Sequence, residues 1–443
     1  MTIPIIILIL LAILVYAWVA YPLLLLAMAS LKKPVGMTQR IASSGTRRVA
    51  VVLAAHNEEK VILKRLENLM LFRPTSIHVG LDACTDQTAE MACGFAKDHP
   101  SVHVHDFKDR RGKAAVLRRI VGSGKEDVDC GLWTVDCGRE DVGCGKEDVG
   151  SGMSSDDILV FTDANTVFDA HAMEKLVTHF NNPDVGGVCG RLVFVECVKS
   201  VDCGTLNVEC GEAADVNTKG REKGEEGVYW EWETRLKTAE SRVDSCLGAN
   251  GAIYAIRASL FPVDLPDNTV VDDFVIGMKV RERGFRMVYE PAAVAYEDAA
   301  PGVRDEWKRR VRIGSGDFQS LMLCCRCLLP WYGKFAWMFW SHKVLRWFTP
   351  HLSLIVFVLA VAGAVNTQGR GIGGGIAVGV LGAGLLFLVF AAIGRVMRGW
   401  RVPLTGFFRL CDYFLTMQAA LFAGFLRFCM GGLRGSWTRT SRG

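Results

Sequence analysis

Residues 3–28 run for 26 positions without one charged side chain. A helix of that length crosses the roughly 30 Å of a bilayer's hydrocarbon. In lipid the backbone must bond to itself, so a helix is the one fold open to such a segment. A cleaved leader would begin with positive charge and carry a shorter apolar core. Neither feature is present, so residues 1–30 are expected to form a retained membrane helix. Lys32, Lys33, Arg40, Arg47 and Arg48 follow it. By the positive-inside rule the chain beyond should be cytoplasmic.

Long apolar segments return only near the C-terminus, at Trp347–Val365, Ile372–Ile393 and Leu404–Met430. The third contains Arg409 and Asp412. About three segments within 344–431 are expected to form a membrane region. Before them Leu328–Trp340 is aromatic and flanked by Arg326 and Lys343, which suits an interfacial helix within 322–343. The basic tail 432–443 carries Arg434, Arg439 and Arg442. Three spans would put that tail outside, whereas its charge favours the inside, so the number of spans and the side of the C-terminus stay open.

The stretch 48–321 is of different material, charged and mixed. The overall 50% hydrophobic and 22% charged content is therefore a sum of two parts. A net charge of +4 gives no footing for a nucleic-acid partner. Two insertions interrupt this stretch, at about 122–152 and 196–227. The first holds a seven-residue tandem repeat over 124–150, and a degraded copy recurs at 195–211. Each unit carries glycine and one or two apolar residues, too few for a coiled coil. Six of the 15 cysteines lie there (Cys130, Cys137, Cys144, Cys197, Cys203, Cys210), singly rather than in the paired spacing of a zinc site. The insertions read as dispensable low-complexity spacers.

Without them the pattern alternates strand and helix. Val49–Ala54, Ile77–Asp82, Val102–His105 and Asp157–Thr162 are apolar runs of strand length. Helical spacing follows at Val61–Leu71, Thr88–Phe95 and Ala114–Ile120. This is the pattern of an α/β, doubly wound, mostly parallel sheet, which binds ligands beyond the carboxyl ends of its strands. Asn57, Asp82 and Asp163 fall at such ends. Adjacent Asp272 and Asp273 open a helix expected over Phe274–Arg283; Asp272 would also suit its N-cap.

Seven segments in order carry a resemblance: VVLAAHNEE at 51–59, VGLDACTDQT at 79–88, RGKAAVL at 111–117, DILVFTDANT at 157–166, LGANGAIYAIR at 247–257, VVDDF at 270–274 and RRVRI at 309–313. Together they resemble the membrane-bound family 2 glycosyltransferases, the group of cellulose, chitin and poly-N-acetylglucosamine synthases. The resemblance covers about Arg48 to Gln319. It implies an A-type nucleotide-sugar domain joined to transmembrane helices, and an inverting transfer from a nucleotide sugar, UDP-linked by preference, to a lipid-linked or polysaccharide acceptor.

The resemblance also implies roles. Ala55, Asn57, Glu58, Asp82 and Lys113 would frame the donor, with Asp82 on its base or ribose. Asp163 would hold Mg²⁺ or Mn²⁺. The family's second metal aspartate is replaced by Asn165, whose amide oxygen can still ligate. Asp273 matches the catalytic aspartate, a general base beside Asp272. Gly248, Ala249 and Asn250 would line the acceptor. Arg309, Arg310 and Arg312 would meet the diphosphate. Ile313 stands where polymerising relatives carry tryptophan, which argues against processive synthesis. The chain would be integral to a bacterial inner or plasma membrane, with membrane lipid and accessory subunits of a polysaccharide system as partners. The alternatives are a processive synthase of the same group and an inactive scaffold or transport component.

Overall fold

The computed structural model describes residues 2–32, 47–122, 157–195, 225–298, 303–397 and 405–433. The repeat unit 124–150, all six of its cysteines' positions in the two insertions, and the arginines of the basic tail lie outside the described residues. Eight strands are described: β1 (Val49–Ala55), β2 (Ser76–Asp82), β3 (Val102–Phe107), β4 (Ile158–Asp163), β5 (Thr166–Phe168), β6 (Val185–Val195), β7 (Tyr254–Arg257) and β8 (Arg286–Asp298). The helices begin with α1 (Thr2–Val15) and α2 (Tyr21–Ser30), joined by a π-turn at Tyr16–Ala20. α3 (Ile62–Met70), α4 (Thr88–Asp98), α5 (Lys113–Gly122), α6 (Ala172–Thr178), α7 (Glu225–Val243) and α8 (Asp272–Glu282) surround the sheet. α9 (Val303–Leu323), α10 (Lys334–Met338), α11 (Leu345–Trp347), α12 (Thr349–Thr367), α13 (Gly371–Val396) and α14 (Thr405–Cys429) complete the chain.

The strands form one mixed sheet in the order β3-β2-β1-β4-β7-β6-β8-β5. The first four are parallel, as the alternating pattern requires. Beyond β4 the sheet changes character: β7 runs antiparallel to β4 and β6, β5 antiparallel to β8, and β6 parallel to β8. Ala50, Val52 and Ala54 of β1 pack into one layer and Val51, Leu53 and Ala55 into the other. Burial on both faces is why the strand reads as an unbroken apolar run. α3, α4 and α6 cover one face; α5, α7 and α8 cover the other.

The second layer also takes in Tyr21, Leu25 and Ala29 of α2 and Phe335, Phe339 and Trp347. The N-terminal apolar helix is thus packed into the core of the sheet domain at its C-terminal half. At its other end Ile7 packs with Val356 and Ala360 of α12. Among the described residues, three helical stretches are long and apolar enough to cross a membrane: Ile3–Ser30, Thr349–Thr367 and Gly371–Val396. The expected third C-terminal segment is also one helix, α14, and its charges find partners. Arg395 Nε lies 3.1 Å from Asp412 Oδ1, and Gly424 closes on the backbone of Gly314 and Ser315 in α9. The stretch 322–343 is not one helix. Pro330 and Gly333 (φ +55°) break it into 3₁₀ turns at Cys325–Leu328 and Pro330–Tyr332, then α10 and a π-turn at Phe339–Val344. Phe335 and Phe339 are buried, while Trp331 and Trp340 are exposed.

Candidate active site

The parallel strands β1, β2 and β4 end side by side at Ala55, Asp82 and Asp163. Asp163 is fixed from behind. Arg65, buried in α3 and stacked 4.2 Å over the Phe168 ring, donates from Nη2 to Thr162 Oγ1 at 2.6 Å. The Thr162 hydroxyl donates to the Ala252 carbonyl at 2.8 Å, and Thr166 Oγ1 donates to the Asp163 carbonyl at 2.9 Å. This ties the end of β4 to the loop before β7.

Lys113 opens α5 and reaches across to Asp163, with Nζ 2.6 Å from Oδ1 and 3.9 Å from Asp272 Oδ2. The geometry around Gly251 shows how closely the groups converge. A methyl built on it would lie 3.0 Å from Lys113 Nζ, 3.2 Å from Asp163 Oδ2 and 3.5 Å from Asp273 Oδ2. One ammonium and two carboxylates therefore border a space that only glycine leaves open.

The electrostatics follow from crowding. Burial pushes Asp272 up to about 6, with Asp273 and Asp163 adding to the rise and Lys113 opposing it. Burial also raises Asp273. Burial alone would lower Lys113, but Asp163, Asp272 and Asp273 outweigh it and hold the ammonium above its usual range. Asp273 Oδ1 accepts the Phe274 N–H at 2.9 Å, which leaves Oδ2 toward the common space. Asp272 does not cap the helix: Val271 is the cap residue, and Asp272 Oδ2 is buried without a hydrogen-bond partner. Tyr254, on β7, buries its hydroxyl unpartnered near the same carboxylates, and burial first, then those charges, raise it.

Several expected ligand-facing residues instead hold the loops. Asp82, 1% exposed, accepts the Arg111 N–H on Oδ1 (2.9 Å) and the Gly112 N–H on Oδ2 (3.0 Å). Its carboxylate anchors the turn that aims Lys113, rather than standing open to a base or ribose. Asn57 sits in the left-handed region (φ +56°) and accepts the Thr85 N–H at 2.8 Å, clipping the loop after β1 to the loop after β2. Glu58 donates its N–H to Thr88 Oγ1 at 2.7 Å. Ala55 is fully buried.

The 248–250 loop packs rather than lining an open acceptor face. Gly248 (φ +75°) presses on the Phe274 ring, and Gly277 of α8 lies against the backbone of Gly248 and Ala249. Asn250 donates to the Gly190 carbonyl at 2.8 Å and accepts the Ile253 N–H at 3.2 Å. Together they clamp α8 and so set the position of Asp272 and Asp273. The arginines separate. Arg309 forms two contacts to Glu306, at 2.9 and 3.1 Å. Arg310 pairs with Glu306 and donates to the Tyr413 hydroxyl of α14 at 2.9 Å. Arg312 donates to the Val270 carbonyl at 3.4 Å; burial lowers it, and the charges of Asp272, Asp273 and Asp163 oppose the shift.

For a divalent cation, the oxygens on offer are Asp163 Oδ2 and the Asn165 amide oxygen. Asn165 Nδ2 is spent on Glu297 Oε1 at 3.2 Å, which leaves the oxygen as its free donor atom. Hard oxygen donors with one carboxylate fit Mg²⁺ or Mn²⁺ held jointly with a phosphate ligand. Gly251, the last residue of the loop Gly248-Ala249-Asn250-Gly251 expected on the acceptor side, is the glycine where the charged groups meet, which no local pattern marks. The buried charges of α7 are not legible in the sequence either, because their pattern resembles a solvated face.

Comparison with known proteins bears on what such a site does. The sequence profile described as glycosyltransferase-like family 2 matches residues 46–314. The poly-β-1,6-N-acetyl-D-glucosamine synthase of Staphylococcus aureus is 20% identical over 286 residues, covering 62% of this chain and 55% of the synthase. The chain thus spans about half the length of the curated relatives it matches. Among solved structures, a mannosyltransferase from Pyrobaculum calidifontis in complex with GDP-mannose and Mn²⁺ shares the fold, with a TM-score of 0.61 and 19% identity. That alignment covers 96% of this chain and 99% of the mannosyltransferase.

Proposed function

The chain belongs to the glycosyltransferase-like family 2, and from that premise we propose that it is a membrane-bound inverting transferase. It moves a sugar from a nucleoside diphosphate donor, UDP being the first nucleotide to test, to a lipid-linked or polysaccharide acceptor. The observation that supports this most directly is the convergence of Lys113, Asp163 and Asp273 around Gly251.

In the proposed reaction the acceptor hydroxyl oxygen attacks the anomeric carbon from the side opposite the diphosphate. The carbon–diphosphate bond breaks, configuration inverts, and the hydroxyl proton passes to Asp273 Oδ2. The raised proton affinity of Asp273 suits that task. Lys113 and Arg312 supply positive charge beside the carboxylates, where a departing diphosphate would otherwise be repelled. Asp163 and Asn165 would hold Mg²⁺ or Mn²⁺, which when bound neutralises charge on the leaving group. The spans fasten this domain to an inner or plasma membrane with the catalytic face cytoplasmic. Ile313, in place of an aromatic platform, favours single addition over processive synthesis.

A panel of UDP- and GDP-sugars, assayed on membranes with product sizing, tests donor and product length together. Asp273→Asn should lower transfer by about 10³-fold or more while donor binding persists. Transfer at the wild-type rate would refute the base assignment.

A further inference from the structure

The segment that leads into the acid pair is gripped by a helix from outside the sheet domain. Residues 268–271 lie in neither strand nor helix and run directly into Asp272 and Asp273, which open α8. Val271, the cap residue of α8, makes no side-chain cap bond. Just upstream, Arg118 of α5 pairs with Asp267 at 2.6 Å. A buried backbone group outside regular structure needs a partner from elsewhere. Here Gln319 of α9 supplies it. Gln319 is buried, and its amide spans two backbone groups: Oε1 accepts the Val270 N–H at 3.0 Å, and Nε2 donates to the Asn268 carbonyl at 3.1 Å. An N–H at one end and a carbonyl at the other fix which way the amide points.

Two more residues of α9 close on the same segment. Arg312 Nη1 donates to the Val270 carbonyl at 3.4 Å. Gly316 lies flush against it: a methyl built there would sit 3.0 Å from Val270 Cβ and 3.1 Å from Val271 Cγ1. Arg312, Gly316 and Gln319 are spaced by four and three residues, so they share one helix face. The opposite face carries Arg310 and Gly314 and meets α14. A methyl on Gly424 of α14 would lie 2.7 Å from the Gly314 carbonyl carbon and from Ser315 N, so the two helices touch backbone to backbone. Arg310 donates to the Tyr413 hydroxyl of α14, and Asp412 ties α14 to Arg395 of α13. Asp163 and Lys113, by contrast, are carried by β4 and α5 of the sheet domain. The two sides of the site thus hang on different supports.

We propose that Gln319 is a positioning residue for the transfer reaction: by fixing residues 268–271 to α9 it sets where Asp273 stands against Asp163 and Lys113, and through α9 it refers that position to α14. This rests on the transferase reading of Asp273. Gln319 bonds to backbone and not to the donor, so its loss should slow transfer without weakening nucleotide binding. Methionine has about the same length and offers neither hydrogen bond. Misplacement by about 1 Å costs about 10²-fold in rate, so a shift of roughly half that at Asp273 should cost about tenfold.

The test uses the full chain in nanodiscs, with the UDP- or GDP-sugar that wild type turns over best. Release of nucleoside diphosphate gives kcat and donor KM, titration with UDP or GDP gives nucleotide affinity, and a thermal melt is run on each sample. Gln319→Met should lower kcat about tenfold while donor KM and nucleotide affinity stay within about twofold. Gly316→Ala presses on the same segment without removing a hydrogen bond, and should lower kcat about threefold with the same split. It also serves alone if Gln319→Met fails to fold. A residue that only stabilised the fold would lower kcat and nucleotide-binding capacity in one proportion, as the folded fraction fell. That proportional loss, or wild-type kcat in the folded variants, overturns the inference. Absence of turnover by wild type would instead sink the transferase reading itself.

Discussion

Gly251→Ala separates catalytic geometry from folding. Gly251 lies outside the left-handed region, so alanine meets no backbone strain there. The new methyl would meet Lys113 Nζ at 3.0 Å and Asp163 Oδ2 at 3.2 Å, both closer than an ordinary contact of about 3.5 Å. Both are tips of flexible side chains, and a shift of a few tenths of an ångström relieves each clash. The stability cost should therefore stay within about 1 kcal/mol. Chemistry is less forgiving. The methyl occupies the space the reacting atoms need and moves the groups that border it. Misplacement by about 1 Å costs about 10²-fold in rate, so a loss of roughly 30- to 100-fold in kcat is expected, or about 2–3 kcal/mol of barrier. Release of nucleoside diphosphate from donor by purified protein, beside a thermal melt of the same sample, reads both quantities. Gly248→Ala is the control with the opposite signature. It combines a φ of +75° with a methyl 2.3 Å from the Phe274 ring, and should lower the melting temperature sharply. Full turnover by Gly251→Ala would mean that Asp163 and Asp273 do not border the reacting space. A collapse in its melting temperature would make Gly251 a packing position only.

Two further outcomes follow from the hydrogen bonds and from burial. Asp82→Ala strips the Arg111 and Gly112 N–H groups of their acceptor and should cost about 2–4 kcal/mol of stability with a fall in kcat, seen as a lower melting temperature and faster amide exchange at those two residues; a raised donor KM with an unchanged melt would restore Asp82 to the donor pocket. His78, buried on β2 and stacked 5.0 Å from His103 and 5.5 Å from His105, is pushed down to about 3 by burial, then by those two rings. Its native pKa lies below the unfolded one, so its neutral form is favoured in the fold and stability is lost as pH falls from about 6.5 toward 3. By pH 5 this amounts to roughly 2 kcal/mol. His78→Phe should flatten the acid side of a melting-temperature profile, and an unchanged acid slope would refute the assignment.

Much of the first half of the sheet was legible because each strand is buried on both faces. β1, β2 and β4 announce themselves as short β-branched runs, and the helices between them by apolar spacing. The second half was not. β6, β7 and β8 pair out of chain order across an insertion, and no local pattern encodes which strand lies beside which. Roles were less legible than positions. Asp82, Asn57 and Asn250 stand at motif positions, yet their side chains bond to backbone. From sequence a carboxylate or amide at a strand end looks the same whether it meets a ligand or a loop. Arg309 and Arg310 were drawn off by Glu306, three and four residues earlier, a pairing that helical spacing could have suggested.

By itself the sequence determined the two materials of this chain, apolar spans and a charged α/β core, because hydropathy over a span length and the period of a buried strand are local properties. It also determined the order of the family 2 segments. Only the tertiary structure decided that Lys113, Asp163 and Asp273, 160 positions apart at their extremes, meet around one glycine. The reason is that burial and charge pairing depend on which elements are neighbours in space, and that is set by strand order and helix packing across the whole chain.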